Sequence, residues 1–356
     1  MSEAYLEALT SSMSDTPALD GLPARIIHLE NAVGMTASLM DIGATWLSCR
    51  VPVGNEKREV LLRAKDMPAH QAQSAYLGAT IGRFANRIKA GRFEVDGQIF
   101  EVTTNNLGNT LHGGAEGFDR RRWDVIAESE TSVAFRLISP DGDQGFPGNL
   151  SVTVTYTLSS DNSLSIDYEA QCDRTCPVSL TNHAYFNLDG ESSGESIMKH
   201  TLWLAAARVL ASDEAFIPIG QVQDVKDTGL DFTKPKTIER DFMKDEAQRM
   251  AAGYDQAFWF DEKDFDGERQ VARLASSSAD LAMSVATTMP AIQVYTGNFL
   301  EGTQGASGDY LNHAGIALET QFLPDGPNHP EWEKAGGILA EGEVYRHVTR
   351  YQFSCR

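Results

Sequence analysis

The sequence has no lysine or arginine before Arg25, so it lacks the basic stretch that opens a secretory leader. Its longest strictly apolar run extends only from Leu202 to Ala207, whereas a membrane-spanning helix needs about 20 apolar residues. These two absences predict a cytoplasmic protein. Cysteine is scarce: Cys49, Cys172, Cys176 and Cys355 are the four present. None forms a C-x-x-C pair, and Cys172 and Cys176 have no second cluster to complete a zinc site, so reduced structural thiols are expected. Positive charge is also scarce, with 30 Lys and Arg against 50 Asp and Glu and a net charge of -20. Such a surface repels phosphate backbones and anionic lipid. No nucleic-acid or membrane partner is expected. A neutral small molecule suits the charge, which does not by itself select a sugar. Oligomeric state is not legible.

Cofactor signatures are absent as well. There is no G-x-G-x-x-G after a strand, no P-loop lysine and no H-E-x-x-H. Asp141-Gly142-Asp143-Gln144-Gly145 opens like a calcium loop, but Gly145 takes the third ligand position and Val152 the twelfth, which defeats that reading. No metal or organic cofactor is expected.

Period-two alternation dominates what is there. Leu150, Val152, Val154, Tyr156 and Leu158 alternate with polar residues, and after Asp161-Asn162 the residues Leu164, Ile166 and Tyr168 do the same. This pattern predicts an antiparallel hairpin. Arg92 to Val95, Asp96-Gly97, and Gln98 to Val102 predict another, and Thr131 to Ile138 a further strand. Helical periodicity is confined to the first twenty residues and Thr237 to Ala252. No linker or internal repeat divides the chain. We expect one all-β domain over residues 1–356, with 1–24 as a possible N-terminal extension. Sheet packed on sheet is the usual way to bury so many half-apolar strands.

Four polar clusters stand out against this pattern. Gly82-Arg83-Phe84-Ala85-Asn86-Arg87 offers guanidinium and amide donors that could grip several hydroxyls; alone it reads equally as a solvated turn. Leu111-His112-Gly113-Gly114 sets a histidine beside glycines that permit close backbone approach, with Trp123, more commonly a core residue, further on. Thr181-Asn182-His183-Ala184-Tyr185-Phe186-Asn187 crowds hydrogen-bonding side chains around one histidine, with His183 and Tyr185 on the same strand face. Glu319 follows the apolar stretch Gly315 to Leu318. Buried there, its carboxylate would gain the raised pKa of a general base, although a strand-end glutamate more commonly faces solvent.

Taken in order, these segments resemble the signatures of the aldose 1-epimerase (galactose mutarotase) family. The resemblance runs through Gly78 to Ile88, Leu111 to Gly114, Ser139 to Gly148, Thr181 to Leu188, Gly253-Tyr254-Asp255, Gln293 to Asn298, and Glu319-Thr320-Gln321 with Pro324-Asp325. It implies a large antiparallel β-sandwich and interconversion of the α and β anomers of a free aldose such as galactose or glucose. It also implies Glu319 as catalytic base and His183 as catalytic acid, with Asn86, Arg87, His112, Tyr185, Asp255 and Gln293 holding the sugar. The residues alone do not separate His183 from His112 as the acid. Two departures bear on substrate preference: Gln256 stands where many members carry histidine, and Gly326-Pro327 interrupts the segment after Asp325. The rival readings are a glycoside hydrolase using Asp255 with Glu319, a lectin without catalysis, and an enzyme of phosphorylated sugars, which the acidic balance disfavours.

Overall fold

The computed structural model describes residues 3–355. Strands dominate because each alternating segment has one apolar face to bury. Leu150–Ser159 shows this: its apolar residues are buried, while the polar residues between them are exposed or half-buried. It pairs antiparallel with Ser163–Cys172, Leu158 opposite Leu164. The second expected hairpin also forms, Arg92–Val95 with Gln98–Glu101. Asp96 and Gly97 turn it with φ of 53° and 74°, the left-handed pair that a two-residue hairpin turn requires.

Nine antiparallel strands make the larger sheet, in the order Asp124–Glu128, Ser132–Ser139, Leu150–Ser159, Ser163–Cys172, Val344–Cys355, Leu281–Thr287, Gln270–Ala275, Thr201–Leu204 and Lys236–Thr237. Six make the smaller one, in the order Tyr185–Phe186, Ile316–Gln321, Ala291–Tyr295, Asp255–Trp259, Arg208–Ser212 and Pro218–Asp224. They enclose one continuous core in which Val152, Val154 and Ile166 share a cluster with Phe258, Ile292, Val294 and Leu318. Burying each such side chain contributes roughly 1.5–3 kcal/mol. The Tyr351 hydroxyl donates to the Leu318 carbonyl, tying the sheets together at 3.3 Å. This is the expected all-β sandwich.

The helical expectations are met only in part. The N-terminal helix is Glu3–Ser14 and stops there; Met13, Ala18 and Ala24 then pack on Met40, Ile42 and Leu47. The second region is broken into a 3-10 turn, Ile238–Asp241, and a short helix, Glu246–Met250. Between them Met243 has φ of 59°, a left-handed conformation that a right-handed helix cannot pass through.

The smaller sheet separates packing from chemistry. Ile316 and Leu318 point into the core, so Ala317 and Glu319 point the other way. Gln293 stands opposite Glu319 in register, Tyr295 opposite Ala317, Asp255 opposite Tyr295, and Tyr185 opposite Ala317 from the other side. The outer face of this sheet therefore carries Glu319, Gln293, Tyr295, Asp255 and Tyr185 together.

Candidate active site

Loops close over that outer face. The short strand Arg87–Ile88 pairs with Thr110–Leu111, which brings Asn86 beside His112. The His112 N–H donates to the Asn86 carbonyl at 3.0 Å, and the Asn86 N–H donates to His112 Nδ1 at 3.1 Å. Both residues hold left-handed backbone, with φ of 63° and 53°. The Pro324-Asp325 turn clamps the same segment: the Asp325 N–H donates to the Arg87 carbonyl at 2.7 Å, and Asp325 Oδ1 accepts the Lys89 N–H at 2.8 Å. Thr181–Asn182 pairs with Thr80–Ile81, and the His183 N–H donates to the Ala79 carbonyl at 2.9 Å.

As a result, Glu319, His183, Asn86, Arg87, His112, Tyr185, Asp255 and Gln293 all line a single cavity. Tyr76, Tyr295, Asn106, Phe216 and Phe299 line it too, and the sequence reading did not select them. For Tyr295 a signal was available, since it lies two residues beyond Gln293 on a strand and so shares its face. Tyr76 sits on an irregular loop, where no periodicity announces it.

Burial sets the electrostatics. His183 Nε2 lies 3.4 Å from Glu319 Oε1, with the side chains 5% and 2% exposed. Burial pushes Glu319 well above the usual carboxylate range; the charge of Asp255 adds to this and Arg87 opposes it. Burial pulls His183 down to about 4. It also pulls His112 well below its ordinary value, helped by His183 and Arg87, and raises Asp255 against the pull of Arg87 and Gln293. Gln293 Nε2 donates to Asp255 Oδ1 at 2.6 Å. The Arg87 guanidinium lies over the Phe216 ring at 4.9 Å, and its Nε donates to Asn106 at 3.3 Å. Among the described residues, Glu319 Oε2, His183 Nδ1 and Gln293 Oε1 are buried without a protein partner. Buried polar atoms are seldom left so, and a polyhydroxylated ligand would supply the missing bonds.

His112, His183 and Glu319 each offer a potential metal-ligand atom, all within 4.8 Å of one another. The chemistry of His112 opposes a metal. A backbone N–H can only donate, so the bond from Asn86 fixes Nδ1 as an acceptor. The proton of the neutral ring then sits on Nε2, which has no lone pair left for a cation. His112 instead presents a fixed N–H donor to the cavity.

Three expectations about neighbouring residues change, and the reading of Trp123 as a core residue is met. Arg83 grips no ligand: it is buried at 2% exposure and donates to Ser139 Oγ and to the carbonyls of Ser139, Pro140, Pro147 and Gly148. Trp123 lies in the core, its indole N–H on the Phe118 carbonyl. The glycines after His112 serve chain packing rather than ligand approach, since a Cβ on Gly113 would lie 1.9 Å from the Gly82 carbonyl oxygen. Gln256 does not line the cavity; its side chain accepts the Asp255 N–H at 3.0 Å.

A β-sandwich with a cavity on its outer sheet face, where a buried histidine touches a buried glutamate among hydrogen-bonding side chains, belongs to the class of proteins that take a small polar molecule. Comparison with known proteins narrows this class. Residues 25–352 match the family model described as aldose 1-epimerase. The chain is 46% identical over 345 residues to the aldose 1-epimerase of Escherichia coli (strain K12), covering 96% of this chain and 99% of that one. It is 39% identical over 298 residues to the galactose mutarotase of Homo sapiens, covering 83% and 84%. Its fold is similar to the crystal structure of an aldose epimerase homologue from C. elegans, with a TM-score of 0.85, 30% identity and coverage of 93% and 99%. The chain belongs to the aldose 1-epimerase family.

Proposed function

We propose that this chain interconverts the α and β anomers of a free aldose, with Glu319 as general base and His183 as general acid. The observation that carries this reading is the contact between the two side chains on the floor of a cavity lined by sugar-compatible donors. Glu319 takes the proton of the anomeric hydroxyl while His183 delivers one to the ring oxygen. The ring opens to the aldehyde, the C1–C2 bond rotates, and the ring closes on the other face with the transfers reversed. Each well-placed proton-transfer partner is typically worth about 10²- to 10⁴-fold. The fixed Nε2–H of His112 stabilises the negative charge that grows on the ring oxygen. It does so as a neutral donor, because full protonation would place a second N–H against the Asn86 amide. Arg87, Asn86, Asp255 and Gln293 hold the remaining hydroxyls. No helix of the described residues is long and apolar enough to cross a membrane. The free thiols Cys49, Cys172 and Cys176 support a reducing compartment, the cytoplasm.

Arg87→Ala tests the binding role. A charge-assisted hydrogen bond contributes roughly 1.5–3 kcal/mol, so the Michaelis constant should rise at least about tenfold. An unchanged constant would remove Arg87 from the sugar's contacts.

Methyl glycosides separate this reading from a hydrolase. Glu319 is in contact with a histidine, but Asp255 shares its cavity, and glycoside hydrolysis generally uses two such carboxylates. A methyl glycoside has no anomeric hydroxyl proton to remove, so it should occupy the site without reacting. Proton NMR of methyl α- and β-galactosides and glucosides with the protein should show neither anomerisation nor methanol. Steady methanol release above the control would refute the mutarotase reading.

A further inference from the structure

The ring of His183 stands among aromatic rings, of which Tyr76, Tyr185 and Tyr295 have no part in the proton relay just described. Tyr76 stacks on it, centroids 5.8 Å and planes 23° apart. Tyr185 lies at 4.9 Å and 33°, Tyr295 edge-on at 6.3 Å and 79°, and His112 at 5.4 Å and 81°. His183 Nδ1 is buried with no protein acceptor among the described residues. Among these residues no carboxylate braces the imidazole from Nδ1, as one commonly does for a working histidine. The charged groups sharing its cavity are Glu319, at 3.4 Å from Nε2, Asp255 and Arg87. Of these only Glu319 pairs with the ring, and in the relay Glu319 takes up a proton and loses its charge while His183 returns to neutral. In the state that starts the reaction the Glu319 carboxylate is therefore the one charge paired with the His183 ring, and its support weakens as Glu319 takes up the proton, while a ring face beside His183 acts throughout. The face of a tyrosine ring is electron-rich and attracts a cation within about 6 Å.

We infer that Tyr76, together with Tyr185, stabilises the imidazolium form of His183 through its ring face, which makes Tyr76 a positioning residue of the proton relay. The inference rests on His183 being the acid. It requires only the ring of Tyr76, not its hydroxyl.

Two variants separate these parts. Tyr76→Phe keeps the ring; Tyr76→Leu keeps most of the bulk and removes the π face. Histidine-labelled protein followed by NMR reports the His183 titration in the resting enzyme, independently of activity. In Tyr76→Leu that titration should move about half a unit to one unit toward acid. There kcat should fall about 3- to 10-fold with the Michaelis constant within about twofold. Tyr76→Phe should keep the native His183 titration and lose less kcat than Tyr76→Leu. Tyr76→Met replaces the leucine variant if the latter does not fold. Identical His183 titrations in the phenylalanine and leucine variants would overturn the inference. So would equal loss of kcat in both, which would put the Tyr76 hydroxyl on the sugar. Normal turnover in His183→Asn would overturn the acid assignment itself, whichever way the titration moves.

Discussion

Replacing Glu319 by glutamine lowers the mutarotation rate constant at least about 10²-fold while sugar binding changes little. Glutamine keeps the shape and the strand register, but its amide cannot take a proton from the anomeric hydroxyl. The pH profile gives the second expectation. Glu319 and His183 are in contact, so they titrate as a pair. Burial raises the glutamate and lowers the histidine to about 4, so between the two values the pair carries one proton, and the relay starts from the form that has it on His183. The kcat/KM profile, which reports the groups of the free enzyme, should be bell-shaped. On the acid side activity falls near pH 4, where a second proton loads the pair. On the alkaline side it falls as the pair loses its remaining proton, at a pH above the ordinary carboxylate range. Polarimetry of freshly dissolved α-glucose and α-galactose, corrected for the spontaneous reaction, measures both. Near-native turnover in Glu319→Gln would remove Glu319 as the base.

His183→Asn should cost at least about 10²-fold, because asparagine has no proton to deliver. His112→Asn should cost much less, about tenfold, since an amide still offers an N–H to the ring oxygen and a neutral hydrogen bond is worth about 0.5–1.5 kcal/mol. This ordering follows from one contact: the Asn86 amide holds His112 Nδ1 as an acceptor, which leaves His112 a donor that does not cycle its proton. The two variants should be compared by kcat at saturating sugar. An inactive His112→Asn beside an active His183→Asn would exchange the two roles.

The sandwich was legible because alternation is a local property: Leu150 to Leu158 declares its buried face residue by residue. The hairpin at Asp96-Gly97 was legible for the same reason, since its turn chemistry lies within two residues. The Thr237 to Ala252 region misled because its pattern has helical spacing, while the chain breaks at Met243, next to Phe242, whose ring packs on Tyr254 and on the distant His313. Arg83 and Arg87 look alike in sequence, four residues apart. Only the folded chain sends one into a nest of carbonyls and the other into the cavity.

From the sequence alone came the fold class, the absence of cofactor signatures, the family resemblance and the set of polar residues proposed to act. It could not decide which nitrogen of His112 carries the proton, that Glu319 faces away from the core rather than into solvent, or that Tyr76 stacks on His183. These depend on what stands opposite a residue across strands and loops far apart in the chain. Burial, tautomer and ring stacking arise only from such long-range neighbours, and in this chain they separate Arg83, held by backbone carbonyls, from Arg87, which lines the cavity.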